Sequence, residues 1–340
     1  MGPSLPKEFK VAVFKENGKP LVFEQRPLEQ PKDGHILAKV LACGVCHSDA
    51  AVQVGAFGNS FPIVPGHEVV GEVVAVPESE KRWKIGDRVG GAWHGGHCGN
   101  CKACRRGLFQ MCETETINGV MRDGGYAEYI DLRTEAVVKL DKEIDPAEYA
   151  PLLCAGVTVF NSLRQQGVTS GDLVAVSGLG GLGHLAIQYA SKMGYRTVAI
   201  SSSADKKKFA SELGAHEYID TSQGSAGEQL KAMGGASAIL FTAPAEKLIP
   251  DLLQGLGPLG KLIVLAAAGP VEINTALMIH YGNSITAWPS GHAQDSEEAI
   301  SFAETHGVKC MIEKFKFEQA NEALEHMNSG KVRFRGVLVL

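Results

Sequence analysis

Short apolar runs broken by glycine and proline fill the first 150 residues. Lys10–Phe14, Ile36–Ala42 and Val69–Val76 are rich in Val, Ala and Ile, and Pro31-Lys32-Asp33-Gly34 and Gly86-Asp87 punctuate them. Runs of this length and composition predict strands, so this part of the chain reads as β-rich. Gly95–Cys112 breaks the pattern, with glycine, cysteine and polar residues and no period. A loop this long does not hold a shape by itself, so something must organise it.

From about Pro151 the pattern alternates. Asp172–Ser177 reads as a strand, a glycine-rich turn follows, and His184–Met193 reads as a helix with Leu185, Ile187 and Tyr189 among its apolar residues. Gly194 is placed to stop that helix. Arg196–Ile200 is a second strand, Asp205–Leu213 a second helix ended by Gly214, and Ala238–Thr242 and Lys261–Ala266 are further strands. Strand and helix in alternation predict a parallel sheet with helices on both faces. The last fifty residues predict helices at Ser296–His306 and Phe317–Met327 and a final strand at Gly336–Leu340.

Composition limits the function classes. The chain has 340 residues, 44% hydrophobic and 21% charged, which suits two globular domains. A net charge of −5 gives no footprint for nucleic acid or an anionic membrane. Lys206, Lys207 and Lys208 form a short basic run, whose plain reading is a solvated helix face. No charged segment followed by an apolar stretch opens the chain. Gly2 follows Met1, but Pro6 stands where a myristoylation motif needs Ser or Thr. Val337-Leu338-Val339-Leu340 is neither a prenylation box nor a peroxisomal address, and no apolar run reaches membrane-spanning length. The expectation is a cytoplasmic protein.

Eight cysteines then change the picture. Cys98, Cys101, Cys104 and Cys112 follow the spacing C-x2-C-x2-C-x7-C. Four thiolates close a tetrahedral zinc site with no open position, and such a site is structural. It would organise the Gly95–Cys112 loop. Free surface cysteines or an iron–sulfur site are the alternatives; four cysteines crowded into fifteen residues favour zinc. Cys46, His67 and Cys154 are scattered, and each alone is an ordinary packing or surface residue. Together, Cys-His-Cys with an open position is the ligand set of a catalytic zinc.

Gly178-Leu179-Gly180-Gly181-Leu182-Gly183 matches G-x-G-x-x-G, directly after a predicted strand and opening a predicted helix. In that context glycines let the backbone approach a pyrophosphate, and the helix N-terminus supplies amide donors. NAD enzymes usually place Asp or Glu at the end of the second strand. Here that position, eighteen residues past Gly183, is Ser201. Ser202, Ser203, Ala204, Asp205 and the three lysines follow. No carboxylate stands at the strand end to repel a 2′-phosphate, and hydroxyls with Lys206 or Lys207 would bind one. The residues favour NADP; Asp205 keeps NAD as the alternative.

The strings GVCHSD, PGHEVVGEV, GDRV, the four-cysteine loop, GGYAEY, LLCAGVTVF and GLGGLG occur in the order found in zinc-dependent medium-chain alcohol dehydrogenases. Over nearly its whole length the chain resembles that family, closest to its cinnamyl-alcohol-dehydrogenase-like and microbial members. The resemblance implies an α/β fold: a GroES-like catalytic domain over 1–152 and 288–340, and a Rossmann doubly wound domain over 153–287. It implies that Cys46, His67 and Cys154 bind a catalytic zinc; the family is itself the usual example of such Cys2His ligation. Glu68 and Asp49 are then carboxylates beside the metal, Glu68 approaching it transiently and Asp49 orienting His67. Zinc acts there as a Lewis acid that eases deprotonation of an alcohol. Ser48 becomes the first proton acceptor. Relatives continue the relay with a His where this chain has Ala51. The relay then runs through water, a ribose hydroxyl or His47. His47 and Arg335 are implied to contact the cofactor pyrophosphate. Cinnamyl-type enzymes carry a similar Ser-Ser-Ser…Lys-Lys run and use NADPH; this chain has one extra residue between serines and lysines. Phe57, Trp93 and Trp288, with Ser48, are implied to line the substrate pocket. Cys43 and Cys310 match no ligand position.

The expected activity is hydride transfer between a primary alcohol or aldehyde, aromatic or allylic among the choices, and NADP(H), in a homo-oligomer. The alternatives are an NAD-dependent alcohol dehydrogenase or a ketone or enone reductase on the same fold. Polyol dehydrogenases usually lack the Cys154 ligand, and zinc-free reductases lack the metal motifs altogether. A binding protein that kept only the fold would not need both ligand sets and the glycine turn.

Overall fold

A computed structural model describes residues 5–340. Met1 and Gly2, on which the acylation expectation falls, lie outside the described residues. The chain divides into two compact units. One comprises Met1–Val157, Gly291–Ser301 and Lys309–Leu340; the other comprises Thr158–Ser290 and Phe302–Val308. No helix among the described residues is long and apolar enough to cross a membrane.

The first unit is built on a mostly antiparallel seven-stranded sheet. Its longest strand, His35–Val45, pairs with Val69–Ala75 on one side and with both Arg335–Val339 and Tyr129–Arg133 on the other. Arg88–Gly91 and Val137–Lys139 extend the sheet beyond Val69–Ala75, and Ile312–Lys316 runs parallel to Arg335–Val339 at the opposite edge. A core of Val, Ile, Ala and aromatic residues, including Phe14, Trp83, Tyr126 and Phe317, packs against the sheet. The Gly95–Cys112 loop is irregular as expected, with short 3-10 turns at Cys104–Arg106 and Phe109–Met111. Gly107 closes the first of these with φ of 76°, a left-handed geometry that glycine adopts at no steric cost.

The second unit carries a six-stranded parallel sheet. Numbered by chain position within the unit, the strand order is 3-2-1-4-5-6. This is the Rossmann order, which reverses direction between Leu173–Ser177 and Ala236–Phe241. Leu173–Ser177 is buried along its whole length. A parallel strand covered on both faces reads as a continuous apolar run, which is why it stands out in the sequence.

Several boundaries differ from expectation, and two of them have clear local reasons. The strand expected from Lys261 begins at Leu256. Its first residues, Leu256-Gly257-Pro258-Leu259-Gly260, look like a turn, and the pairing shifts register there. The helix expected over Asp205–Leu213 starts with a 3-10 turn, Ala204–Lys206, and continues as Lys207–Glu212. Glu217–Asp220 and Ser284–Ala287, the two outer strands, escaped the sequence reading. Both are short, and their partial exposure leaves no strong apolar run.

Candidate functional site

The strand His35–Val45 ends one residue before Cys46, and Cys46 caps the helix His47–Gln53. This strand-to-helix corner is fixed by the buried carboxylate of Asp49. Asp49 accepts from the Cys46 backbone N–H at 2.8 Å, from the Gly66 N–H at 3.1 Å and from the Tyr126 hydroxyl at 3.3 Å. Its Oδ1 also lies 3.4 Å from His67 Nδ1, an ion-pair distance without hydrogen-bond alignment. One carboxylate therefore ties together the segments carrying Cys46, His67 and the 124–129 turn. Gly66 has φ of +102°, and a Cβ there would lie 2.5 Å from Tyr126 and 2.8 Å from Cys43 Sγ, so only glycine brings its N–H to Asp49.

Four donor groups converge beside this corner. Cys46, His67, Glu68 and Cys154 each offer a ligand atom within 4.8 Å of the others. His67 and Glu68 are fully buried, and neither His67 Nε2 nor Glu68 Oε2 has a hydrogen-bond partner. Leaving buried polar atoms unpartnered costs about 1–3 kcal/mol each, and a metal ion coordinated by them would remove that penalty. The other oxygen of Glu68 accepts from Arg335, itself buried. A Cβ on Gly44 would fall 1.8 Å from Glu68 Oε2, so the missing side chain makes the space the carboxylate occupies.

The electrostatics suit a cation. Cys46 is held well below the usual thiol range, first by the hydrogen bond from Cys154 and then by Arg335 and His67 against burial. Cys154, as the donor, is pushed up. Burial pushes Glu68 up to about 8 despite Arg335. Burial works against a charge on His67, and Asp49 followed by Cys46 more than offset it. Two cysteines and a histidine, with a buried carboxylate beside them, form a sulfur–nitrogen set that suits zinc.

The second cluster lies in the irregular loop. Cys98, Cys101, Cys104 and Cys112 also bring their ligand atoms within 4.8 Å of one another. The Cys112 and Cys98 sulfurs are 3.5 Å apart and those of Cys101 and Cys112 are 3.9 Å apart, far longer than a disulfide. Backbone N–H groups point at three of them: Cys101 N to Cys98 Sγ at 3.4 Å, Cys104 N to Cys101 Sγ at 3.5 Å, and Cys98 and Thr114 N to Cys112 Sγ at 3.3 and 3.4 Å. Backbone amides lower the thiol pKa of both Cys98, chiefly that of Asn100 and then Cys101, and Cys101, chiefly that of Cys104 and then Glu113. A ring of sulfurs receiving backbone donors fits a metal held entirely by thiolates.

Phe57 and Trp93 meet edge to face at 5.6 Å, and Trp93 meets the His67 ring at 4.9 Å. The two aromatic residues thus stand together beside the donor cluster. Ser48 Oγ lies 3.8 Å from Cys46 Sγ. His47 is exposed at the start of its helix. Trp288 belongs to the other unit, where its ring nitrogen is buried without a partner.

In the parallel-sheet unit the 178–183 turn connects Leu173–Ser177 to the helix Gly183–Lys192. Gly178 has φ of +106°, and a Cβ on Gly183 would lie 1.8 Å from Gly178 O. Gly180 faces open space, with nothing within 4 Å of where its Cβ would be. The second strand, Arg196–Ser201, ends on Ser201. Ser203 is occupied as a helix cap: its hydroxyl accepts from the Asp205 N–H at 3.3 Å and donates to Asp205 Oδ2 at 3.2 Å. Ser202, Lys206 and Lys207 are exposed around it.

Sequence reasoning gave no role to Tyr126, Tyr218 or Thr242. Tyr126 lies in the GGYAEY string, yet nothing in its spacing shows that it reaches Asp49. Tyr218 donates its hydroxyl to Ser203 O from the neighbouring strand, a contact created by sheet order alone. Arg335, implied by resemblance to serve the cofactor, is here buried against Glu68.

Comparison with known proteins agrees with this geometry. Residues 32–142 match the family described as alcohol dehydrogenase GroES-like domain, and residues 181–309 match zinc-binding dehydrogenase. The chain is 54% identical to the alcohol dehydrogenase patD of Penicillium expansum over 100% of both chains. Its fold superposes on a cinnamyl alcohol dehydrogenase from Sorghum bicolor with a TM-score of 0.89, 30% identity and 98% of each chain covered. It superposes on a Helicobacter pylori cinnamyl-type enzyme complexed with NADP(H) with a TM-score of 0.87 and 25% identity, covering 98% of this chain and 99% of that one. A GroES-like β unit with a Rossmann sheet, two metal-ligand clusters and these relatives lead to one conclusion: the chain belongs to the zinc-type medium-chain alcohol dehydrogenase family.

Proposed function

We propose that this oxidoreductase interconverts a primary alcohol, aromatic or allylic, and its aldehyde with NADP(H) as hydride carrier. The observation that carries the choice of cofactor is the end of the strand Arg196–Ser201, a hydroxyl where an NAD-specific site places a carboxylate. Asp205, the acid that keeps NAD as the alternative, has its carboxylate engaged by the Ser203 hydroxyl. Ser201, Ser202 and Lys206 or Lys207 then bind the 2′-phosphate, and the 178–183 turn binds the pyrophosphate. Residues 1–152 with 288–340 serve as the catalytic domain and 153–287 as the dinucleotide domain. An assembly of identical copies is expected.

Cys46, His67 and Cys154 would hold the catalytic zinc with Glu68 in reserve, and Cys98, Cys101, Cys104 and Cys112 the structural one. When bound, the catalytic ion supplies Lewis acidity toward the substrate oxygen. The chain's own residues do the rest. Ser48 Oγ takes the hydroxyl proton of the alcohol and passes it toward solvent, through His47, a cofactor ribose hydroxyl or water, because Ala51 has no group to continue the relay. Phe57 and Trp93 offer an aromatic wall to a planar substrate. Asp49 holds the His67 ring in place.

The test is a panel of aldehydes assayed with NADPH and NADH separately. Cinnamaldehyde or benzaldehyde reduced with NADPH at least about tenfold more efficiently than with NADH supports the proposal. Reduction by NADH alone, or of ketones and enones only, overturns it. Ser48→Ala is expected to lower turnover roughly 10²- to 10⁴-fold in both directions, the range for loss of a proton-transfer group. Unchanged catalytic efficiency would remove Ser48 from the relay. Ala51→His is expected to alter the pH profile of alcohol oxidation.

A further inference from the structure

The carbonyls of the glycine turn are held from behind. Thr242 follows the strand Ala236–Phe241 and donates its hydroxyl to Ser177 O at 2.9 Å and Gly178 O at 3.2 Å. From the other side, fully buried His184 approaches Gly180 O with its ring Nδ1 at 3.1 Å and its backbone N–H at 3.0 Å. A carbonyl only accepts, so Nδ1 carries the hydrogen.

These contacts set the direction of the turn's amides. In a planar trans peptide the C=O and the following N–H point opposite ways. Drawing Gly178 O toward Thr242 aims the Leu179 N–H away from it, and drawing Gly180 O toward His184 does the same for Gly181. Carbonyl dipoles are thereby kept off the face where an anion would be bound. The turn has little slack to do otherwise: a Cβ on Gly178 would lie 2.8 Å from Ala243 Cβ and 3.0 Å from Thr242 Oγ1. Thr242 and Gly178 follow the two adjacent strands between which the sheet order reverses, the place where such sheets bind ligands.

We propose that Thr242, assisted by His184, is a positioning residue for the dinucleotide, fixing the turn so that its amides face the pyrophosphate. The proposal rests on the reading of residues 178–183 as the cofactor turn. Because the pyrophosphate is common to both nicotinamide dinucleotides, Thr242 acts on NADPH and NADH alike, unlike any group at the 2′ end.

Nucleotide dissociation constants of the metal-replete protein, measured by calorimetry, test this together with kcat at saturating cofactor and melting temperature. Thr242→Val keeps the shape and removes the hydroxyl. It is expected to weaken NADPH and NADH by the same factor, roughly tenfold, as the loss of one hydrogen bond allows. In the same variant kcat at saturation should change less than about twofold, since only uniform binding is lost. Thr242→Ser, which restores the donor, should return both affinities to within about twofold. His184→Asn keeps a donor near the Nδ1 position and His184→Leu does not, so only the second should weaken binding. This pair carries the test if Thr242→Val does not fold. Unchanged affinities in Thr242→Val, a loss that serine does not rescue, or a loss confined to NADPH would overturn the assignment. If the unaltered protein binds neither nucleotide, the cofactor reading itself falls, and this assignment with it.

Discussion

Cys46→Ser is expected to cut turnover by about 10³-fold or more, since a Lewis acid contributes several kcal/mol to such a reaction and each 1.36 kcal/mol is about tenfold. The fold should survive. The corner around Cys46 is held by the Asp49 carboxylate through backbone and hydroxyl donors, not through the thiol. Cys101→Ser should do the opposite. Its loop has little regular structure beyond single 3-10 turns, and its four sulfurs converge on one point, so losing a ligand there removes folding free energy. Elemental analysis should find about two zinc per chain in the unaltered protein and about one in each variant. Thermal unfolding should separate them, with Cys101→Ser melting well below Cys46→Ser. A single zinc in the unaltered protein, or full activity in Cys46→Ser, would refute the two-site assignment.

Ser201→Asp should reverse the choice of cofactor. A carboxylate at the end of Arg196–Ser201 repels a 2′-phosphate and accepts strongly from both ribose hydroxyls, while the Ser201 hydroxyl carries no charge and can donate to a phosphate. Each charge-assisted hydrogen bond to the phosphate is worth about 1.5–3 kcal/mol, and every 1.4 kcal/mol is about tenfold. One or two such bonds give a preference for NADPH of tens- to hundreds-fold in the unaltered protein. Lys207→Ala should weaken NADPH alone, with Lys206 the other candidate. Steady-state efficiencies with both cofactors decide the matter. An unaltered protein that prefers NADH, with no change in Ser201→Asp, would mean that Asp205 or another group reads the ribose.

What could be read from the sequence depended on how local the cause was. Leu173–Ser177 and the turn after it are one continuous pattern, and the strand end at Ser201 followed from counting. The C-x2-C-x2-C-x7-C spacing announces its own cluster. Cys46, His67 and Cys154 are separated by whole strands, and only resemblance grouped them before the fold did. Contacts created by sheet order left no local trace. Tyr126 reaches Asp49, Tyr218 reaches Ser203 and Thr242 reaches Gly178 from neighbouring segments or strands, and no periodicity encodes these meetings. The burial of Arg335 against Glu68 belongs to the same class.

That last pairing has a consequence for the order of events on the ribosome. Domains emerge N-terminal part first. The four sulfurs of the irregular loop are all available once Cys112 has left the exit tunnel, so that site can load while most of the chain is still unmade. The second donor set waits for Cys154. Glu68 waits longer still, because its cationic partner Arg335 is synthesised 267 positions later. Until then a carboxylate destined for the interior has no buried counter-charge, and the strand Arg335–Val339 that carries Arg335 has yet to pair with His35–Val45. Closure of the seven-stranded sheet and neutralisation of Glu68 are therefore one late step. Nascent chains halted before residue 335 should retain metal on the cysteine loop while leaving the Cys46–His67–Cys154 pocket open to solvent and to thiol reagents.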